Sequence, residues 1–104
     1  MVARSEVWWV EHPDAGRRPF LVLTRQAAIP LLNAVVGVPA TRTMRQIPTE
    51  VVLDQDDGMP EECALSLDNL TTIPKELFGS RITRLSVARM SEVCRALSLA
   101  TGCG

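Results

Sequence analysis

Short apolar segments separated by turns rich in proline and glycine set the strongest limit on how this chain can fold. Aromatic, β-branched or alternating apolar residues predict six short strands, at residues 6–11, 19–24, 34–38, 49–53, 63–67 and 82–85. Residues 12–17 and 54–58 have the composition of turns, and residues 26–32 predict a short helical turn. Pro39 is expected to end the third strand. Because the connections are hairpin-sized and do not alternate with helices, a parallel sheet is not expected.

One amphipathic helix is predicted at the C-terminal end. Ser86 is a favourable N-cap, and Gly102 stands where a left-handed residue ends a helix. Apolar residues at helical spacing predict the face that packs on the sheet: Val87, Met90, Val93, Cys94 and Leu97. The predicted fold class is therefore mainly β with a C-terminal helix, as a small, strongly bent antiparallel sheet or partly open barrel that the helix caps.

Length and charge narrow the possible partners. The 104 residues suffice for one small core, so we expect a single domain over residues 1–104. Six basic residues oppose four acidic ones through Leu53, whereas five oppose eight from Asp54 onward. An anionic partner is therefore expected to meet the arginines of the first half. No stretch approaches the roughly 20 apolar residues of a membrane span, and the N-terminus lacks the apolar core of a signal peptide, so we expect no membrane association and a cytoplasmic location.

Cysteine, histidine and glycine patterns argue against several kinds of site. The three cysteines are odd in number and have no Cys-x-x-Cys spacing, which disfavours a disulfide framework or a thiolate zinc site, and Cys94 is expected to be a small core residue. His12, beside Pro13, is expected to be exposed to solvent. The chain lacks a glycine-rich phosphate loop, a Gly-x-Ser-x-Gly elbow and paired metal ligands, which removes the common nucleotide-hydrolase, acyl-transfer and metallonuclease readings.

Two segments rich in arginine and threonine remain as candidates for chemistry. Gly16-Arg17-Arg18-Pro19 places two guanidinium groups at the start of a strand, and residues 39–50 form a second segment dense in hydrogen-bond donors. A guanidinium matches two phosphate oxygens at once, and donors of this kind suit the binding of a phosphodiester. The alternative interpretation is a pair of surface arginines and a solvated connector.

The chain resembles the MazF (PemK, Kid) family of bacterial toxins, which are sequence-specific single-stranded RNA endonucleases of toxin–antitoxin systems. The resemblance covers nearly the whole chain and rests on segments in matching order and spacing: EVWW at 6–9, GRRP at 16–19 with LVL at 21–23, VPAT at 38–41 and IPTEV at 47–51, LDNL at 67–70 through Ile73, and ITRL at 82–85 before the helix. It implies a homodimer of small SH3-like antiparallel barrels. It also implies RNA cleavage without a metal ion or other cofactor, by attack of the ribose 2′-hydroxyl on the adjacent phosphate.

The resemblance also assigns roles to individual residues. The catalytic arginine of the family stands immediately before the proline, which implies Arg18, and the catalytic threonine follows the third main strand, which implies Thr41. Thr43 is the alternative, because a shift of two residues keeps a hydroxyl on the same side of an extended segment. Arg18 would stabilise negative charge on the phosphorane oxygens, while the threonine hydroxyl would bind the same phosphate. Further contacts to RNA are expected from Arg17, Arg42, Thr43, Arg45 and Asn69.

The base that removes the 2′-hydroxyl proton is left open. Some members of the family carry a glutamate about five residues before the arginine, where this chain has Pro13. His12, Asp14 or Glu11 could substitute, or the role could be dispensable. Trp8 and Trp9 are neighbours on a strand, so their side chains point to opposite faces, with one expected in the core and the other exposed or at a subunit contact.

Two other functions are compatible with such a fold. A gyrase poison of the CcdB type shares a similar barrel and acts by protein binding through a C-terminal helix that ends in tryptophan, glycine and isoleucine, whereas this chain ends Thr101-Gly102-Cys103-Gly104. A non-catalytic binding barrel would use Arg18 only as a phosphate or peptide contact. If the chain is a toxin, its expected partners are single-stranded RNA and a MazE-like antitoxin whose flexible acidic tail blocks the arginine-lined groove.

Overall fold

The fold is an antiparallel sheet of seven strands and one helix, as seen in a computed structural model that describes residues 1–14 and 16–103. The strands and the helix are β1 Glu6–His12, β2 Gly16–Val22, β3 Ala34–Thr41, β4 Glu50–Leu53, β5 Cys63–Ser66, β6 Thr71–Pro74, β7 Phe78–Arg84 and α1 Val87–Thr101. Short 3-10 turns are formed by Gln26–Leu31, Gln55–Asp57, Leu67–Asn69 and Lys75–Leu77. In this part of the chain, no helix is both long and apolar enough to cross a bilayer.

Strand β3 organises the sheet because it pairs with three other strands. The strand order is β4-β5-β3-β2-β1-β7, and β6 pairs with the remaining length of β3. Along one edge of β3, residues 34–37 pair with β6 and residues 40–41 pair with β5, while residues 37–39 pair with β2 on the other edge. The sheet is thus open, with β4 and β7 at its two ends, and the prediction of a mainly β fold with a C-terminal helix is confirmed.

The expectation that Pro39 ends the third strand was wrong. Pro39 lies inside β3 and pairs with Phe20 of β2. On the edge of β3 that faces away from β2, β6 pairs with residues 34–37 and β5 pairs with residues 40–41. Residues 38 and 39 are therefore unpaired on that edge. A residue without an amide proton is tolerated there because the ladder is already interrupted.

Two other differences concern β6 and β7. The sequence did not predict β6, in which only Ile73 is buried and which ends at Pro74. The last strand was predicted over 82–85 but begins at Phe78, because residues 78–81 pair with β1 through two register shifts despite their weak strand propensity. The predicted loop 12–17 contains Ala15, which lies outside the described residues.

Helix α1 has the predicted caps but a somewhat different buried face. The Ser86 side chain accepts a hydrogen bond from the Arg89 amide at 3.1 Å, and Gly102 adopts φ 70° at the C-cap. The buried residues are Met90, Val93 and Ala96, and the helix packs on β4 and on the turn Leu67–Asn69.

Two residues of the predicted helix face are corrected. Val87 is 86% exposed because it lies about 120° around the helix axis from Val93, at the centre of the buried face. Cys94 is an exposed free cysteine and not a core residue. It follows Val93 by one residue, and a step of about 100° around the helix axis turns it away from the core.

The core lies on both faces of the sheet. The main cluster is between the sheet and α1 and includes Leu21, Val38, Leu65 and Val93. Smaller clusters on the opposite face contain Val22 and Val35, and Val10, Phe20 and Ile73. As a result, consecutive residues are buried at the end of β2, from Phe20 to Val22, and every residue of β3 is at least half-buried.

Candidate active site

The arginine-rich and threonine-rich segments meet at one cavity of about 320 Å³. It is formed by β1 and β2, the end of β3 with the residues that follow it, and the segment that leads into β5. The lining residues are Trp9, Arg17, Arg18, Pro19, Ala40, Thr41, Arg42, Thr43, Met59, Pro60, Glu61 and Cys63. Three arginines against one glutamate give the cavity a net positive charge, which suits an anionic ligand.

The first wall is the β1–β2 hairpin. Trp9 pairs directly with Pro19, and Glu11 pairs with Arg17, so these four residues share one face of the hairpin. The Arg17 guanidinium lies 4.5 Å from the centroid of the Trp9 ring, and its Nε is 3.5 Å from Glu11 Oε1. The tryptophan and the guanidinium thus form a flat, cationic surface at the edge of the cavity.

Arg18 differs from the other two arginines of the cavity. It lies in β2 opposite Val10 and is exposed. Within residues 1–14 and 16–103 its side chain has no ion pair or hydrogen bond, whereas Arg17 is held by Glu11 and Arg42 by Glu61. Its charge and its donors are therefore available to a ligand.

Thr41 forms the second wall and is held by the sheet and by a local turn. It is the last residue of β3, where it pairs with Ala64 of β5. Its Oγ1 accepts a hydrogen bond from the Thr43 amide at 3.1 Å. Because this bond occupies an acceptor site of the oxygen, the hydroxyl proton is left to be donated into the cavity.

The third wall, residues 59–63, was missed by the sequence analysis. Glu61 Oε1 lies 3.4 Å from Arg42 Nη1, so this ion pair connects the second and third walls. Cys63 is buried, and burial, reinforced by the negative charge of Glu61, raises its pKa to about 11. Cys63 therefore remains a thiol at neutral pH. Composition offered only a weak signal for this wall, an acidic pair at Glu61-Glu62 that could complement arginines elsewhere.

A clamp to the helix holds the third wall in position. The Asp57 carboxylate accepts hydrogen bonds from Arg89 of α1 at 2.9 and 3.1 Å, and the Asp57 carboxylate also accepts one from the Asp54 amide at 3.0 Å. Burial opposes ionisation of Asp57, but these hydrogen bonds lower its pKa. Gly58 follows with φ 91°, and a Cβ there would clash with the Thr83 side chain, so glycine is required at this turn.

Buried Glu6 organises the other end of the hairpin. It accepts hydrogen bonds from the Ala3 amide at 2.8 Å, from Trp8 Nε1 at 3.0 Å and from Arg81 Nη1 at 3.0 Å. Burial opposes its ionisation, but the bonds from Trp8, Arg81 and Ala3 lower its pKa. Trp8 also packs edge to face on Phe78, at 6.3 Å between ring centroids, so the two tryptophans do point to opposite sides, Trp8 to the core and Trp9 to the cavity.

Two residues predicted to contact RNA lie outside the cavity lining. The Arg45 amide donates to Glu50 Oε1 at 2.9 Å, and Asn69 Nδ2 donates to Ser66 Oγ at 2.7 Å. The other predicted contact residues, Arg17, Arg42 and Thr43, line the cavity together with Arg18 and Thr41.

None of the three candidate bases named from the sequence lines the cavity. Glu11 is paired with Arg17, and His12 Nδ1 accepts a hydrogen bond from the Asp14 amide at 3.2 Å. His12 is the half-buried last residue of β1, which corrects the expectation of an exposed histidine. Among residues 1–14 and 16–103, no group of three or more His, Cys, Asp and Glu side chains could hold a metal ion.

Comparisons with a family profile and with individual proteins point to the same family. The profile of the PemK-like, MazF-like toxins of type II toxin–antitoxin systems matches residues 3–101. The probable endoribonuclease MazF5 of Mycobacterium tuberculosis is 41% identical, with 97% of this chain and 94% of that protein covered. The probable endoribonuclease MazF2 of the same species is 43% identical, with 96% and 98% covered.

A solved structure agrees with these relatives. An endoribonuclease in complex with its cognate antitoxin, from a mycobacterial species, superimposes with a TM-score of 0.89 at 27% identity, covering 100% of this chain and 98% of that one. The fold, the match over nearly the full chain and the sequence relatives agree. The chain therefore belongs to the PemK-like, MazF-like toxins of type II toxin–antitoxin systems.

Proposed function

We propose that this toxin is a sequence-specific endoribonuclease that cleaves single-stranded RNA without a metal ion and thereby inhibits translation and growth. The observation that carries the proposal is the convergence of Arg18, which lacks a protein partner in the described part of the chain, and Thr41 on one positively charged cavity. The relatives named above as endoribonucleases support the same activity.

The cleavage proceeds by attack of the ribose 2′-hydroxyl on the adjacent phosphorus, leaving a 2′,3′-cyclic phosphate and a 5′-hydroxyl. Arg18 donates to the phosphorane oxygens and stabilises the charge that develops on them. Thr41 donates its hydroxyl proton to the same phosphate, since its oxygen already accepts from the Thr43 amide. The two side chains act from different strands, so the scissile phosphate is held between β2 and the end of β3.

The remaining polar residues of the site bind the RNA strand. Arg42 and Thr43 contact phosphates next to the scissile one, and a splayed base stacks on the surface made by Arg17 and Trp9. Arg45 and Asn69, which lie outside the cavity, contact the strand further along.

The protein is proposed to act as a homodimer in the cytoplasm, with residues 1–104 forming one toxin domain. A MazE-like antitoxin is its proposed partner, because a solved structural relative is in complex with its cognate antitoxin. An acidic antitoxin segment would compete with RNA for the arginines of the cavity.

The test is a cleavage assay on end-labelled RNA in the presence of a chelator. We expect wild-type protein to cut at a short recurring sequence and to leave a cyclic phosphate on the upstream fragment. A 2′-deoxy substitution at the cleaved nucleotide should stop the reaction. Dependence on added magnesium, or cutting of the 2′-deoxy substrate, would contradict the mechanism.

A further inference from the structure

The proposed reaction needs a group that takes the proton of the 2′-hydroxyl, and the cavity offers one. Guanidiniums stay protonated at ordinary pH, and threonine hydroxyls are poor bases. Burial and nearby negative charges raise the pKa of the Cys63 thiol to about 11, so it is not ionised near neutrality. Glu61 is the only carboxylate among the described residues that line the cavity.

We propose that Glu61 is the general base of the cleavage reaction. This inference rests on the proposed ribonuclease function and assigns the role for which the sequence analysis considered only residues before Arg18. Glu61 lies in the same cavity as Arg18 and Thr41 but on the third wall, and its side chain is 61% exposed. A carboxylate there can meet the ribose while the other two side chains hold the phosphate.

The side chains that face Glu61 are mostly cationic. Arg42, in the segment after β3, lies 3.4 Å away, and Arg17 and Arg18 of β2 line the same cavity. Cys63 of β5, the other titratable side chain of the lining, is neutral. The pair with Arg42 is exposed, so a phosphate oxygen can take the place of Glu61 on Arg42 at little cost and leave the carboxylate to the 2′-hydroxyl.

The chemical step balances with groups that are present. A Glu61 carboxylate oxygen takes the 2′-hydroxyl proton while the bond between the 2′-oxygen and phosphorus forms. The bond between phosphorus and the 5′-oxygen breaks, and its electron pair leaves with that oxygen, which takes a proton from water. The hydroxide so formed takes the proton from Glu61, which restores the carboxylate for the next cycle.

The experiment compares Glu61→Gln with Glu62→Gln, a matched control at the exposed neighbouring residue outside the cavity. Single-turnover cleavage of an RNA that wild-type protein cuts is measured from about pH 5 to pH 9. We expect Glu61→Gln to lose roughly 100- to 10,000-fold in rate at neutral pH. Glu62→Gln should stay near the wild-type rate, and Glu61→Asp should be intermediate.

Two further measurements separate proton removal from other roles. Binding of the uncleavable 2′-deoxy substrate should be nearly unchanged in Glu61→Gln, and its melting temperature should match wild type. The defect should persist on a 5′-phosphorothiolate substrate, because its sulfur leaves without needing a proton. If Glu61→Gln regains the wild-type rate on that substrate, Glu61 is a general acid. If Glu61→Gln cleaves normal RNA at the wild-type rate or faster, Glu61 only holds the Arg42 side chain in place. Either result overturns the inference, whereas failure of wild-type protein to cut any RNA would refute the proposed function itself.

Discussion

Replacing Arg18 with alanine should separate catalysis from stability. The Arg18 side chain is exposed and has no protein partner among residues 1–14 and 16–103, so its removal breaks no contact that holds the fold. Surface substitutions of this kind usually change the free energy of unfolding by no more than about 0.5 kcal/mol. For a chain of 104 residues this corresponds to a shift in melting temperature of roughly 2–4 °C.

The expected effect on cleavage is far larger. Loss of one donor to the charge that develops in a transition state costs about 2.7–4 kcal/mol, which is roughly 100- to 1,000-fold in rate. Because a guanidinium supplies full charge as well as donors, we expect Arg18→Ala to lie at or beyond the upper end of that range.

The assay is single-turnover cleavage of a fluorescent RNA, with thermal unfolding followed on the same samples. Arg25→Ala is the matched control, since Arg25 is also an exposed arginine and lies outside the cavity. It removes the same charge and should keep nearly full activity. The reasoning fails if Arg18→Ala retains more than about a tenth of the activity, or if its melting temperature falls by more than about 10 °C.

Three other predictions concern the core, the thiols and the acid stability. Val93→Asp places an unpaired charge at a position that is 0% exposed, so loss of the cooperative thermal transition is expected, and a melt like wild type would contradict this. In native protein near pH 8, a thiol reagent should react quickly with two cysteines and reach Cys63 only after unfolding, because burial raises the pKa of Cys63. The pKa of Glu6 is lowered in the folded state, so its stabilising effect is present above the unfolded pKa of about 4.3 and is lost as pH falls below it. Glu6→Gln should therefore be less stable at neutral pH and should lose less stability than wild type on acidification, which thermal melts from about pH 7 to pH 3 would test.

Local rules predicted those parts of the fold that depend on neighbouring residues. The caps of α1 need only a serine before the helix and a glycine after it, and both were predicted correctly. The strands that hold buried apolar runs were also found, because their composition alone favours extended structure. The burial of individual residues was predicted wrongly where it depends on a distant element. Val87 and Cys94 of the helix were expected to be buried and are exposed.

The missed strands show the same limit in another form. Residues 78–81 have weak strand propensity and become β7 only because β1 offers them an edge to pair with. β6 likewise depends on the free edge of β3. The residue pattern of β6 or β7 alone therefore does not predict with which strand it pairs.

The arginines and threonines of the candidate site were predictable from the sequence, but the third wall, residues 59–63, was not. Arg18 and Thr41 stand in short motifs that can be recognised along the chain. Glu61 joins them only through the turn at Gly58 and the clamp between Asp57 and Arg89. The sequence alone does not predict that residues so far apart along the chain lie close together in the fold.

The pairing of β3 fixes the backbone of Thr41 but not the backbone of the loop that follows it. Thr41 is the last residue that the ladder holds, and residues 42–49 have no regular backbone structure before β4 begins at Glu50. Under the proposed mechanism, insertions or replacements in that loop would alter which nucleotides are bound while the Thr41 hydroxyl keeps its position. On that proposal, the target sequence of such a toxin could change through this loop alone, without any change to the strands that carry Arg18 and Thr41.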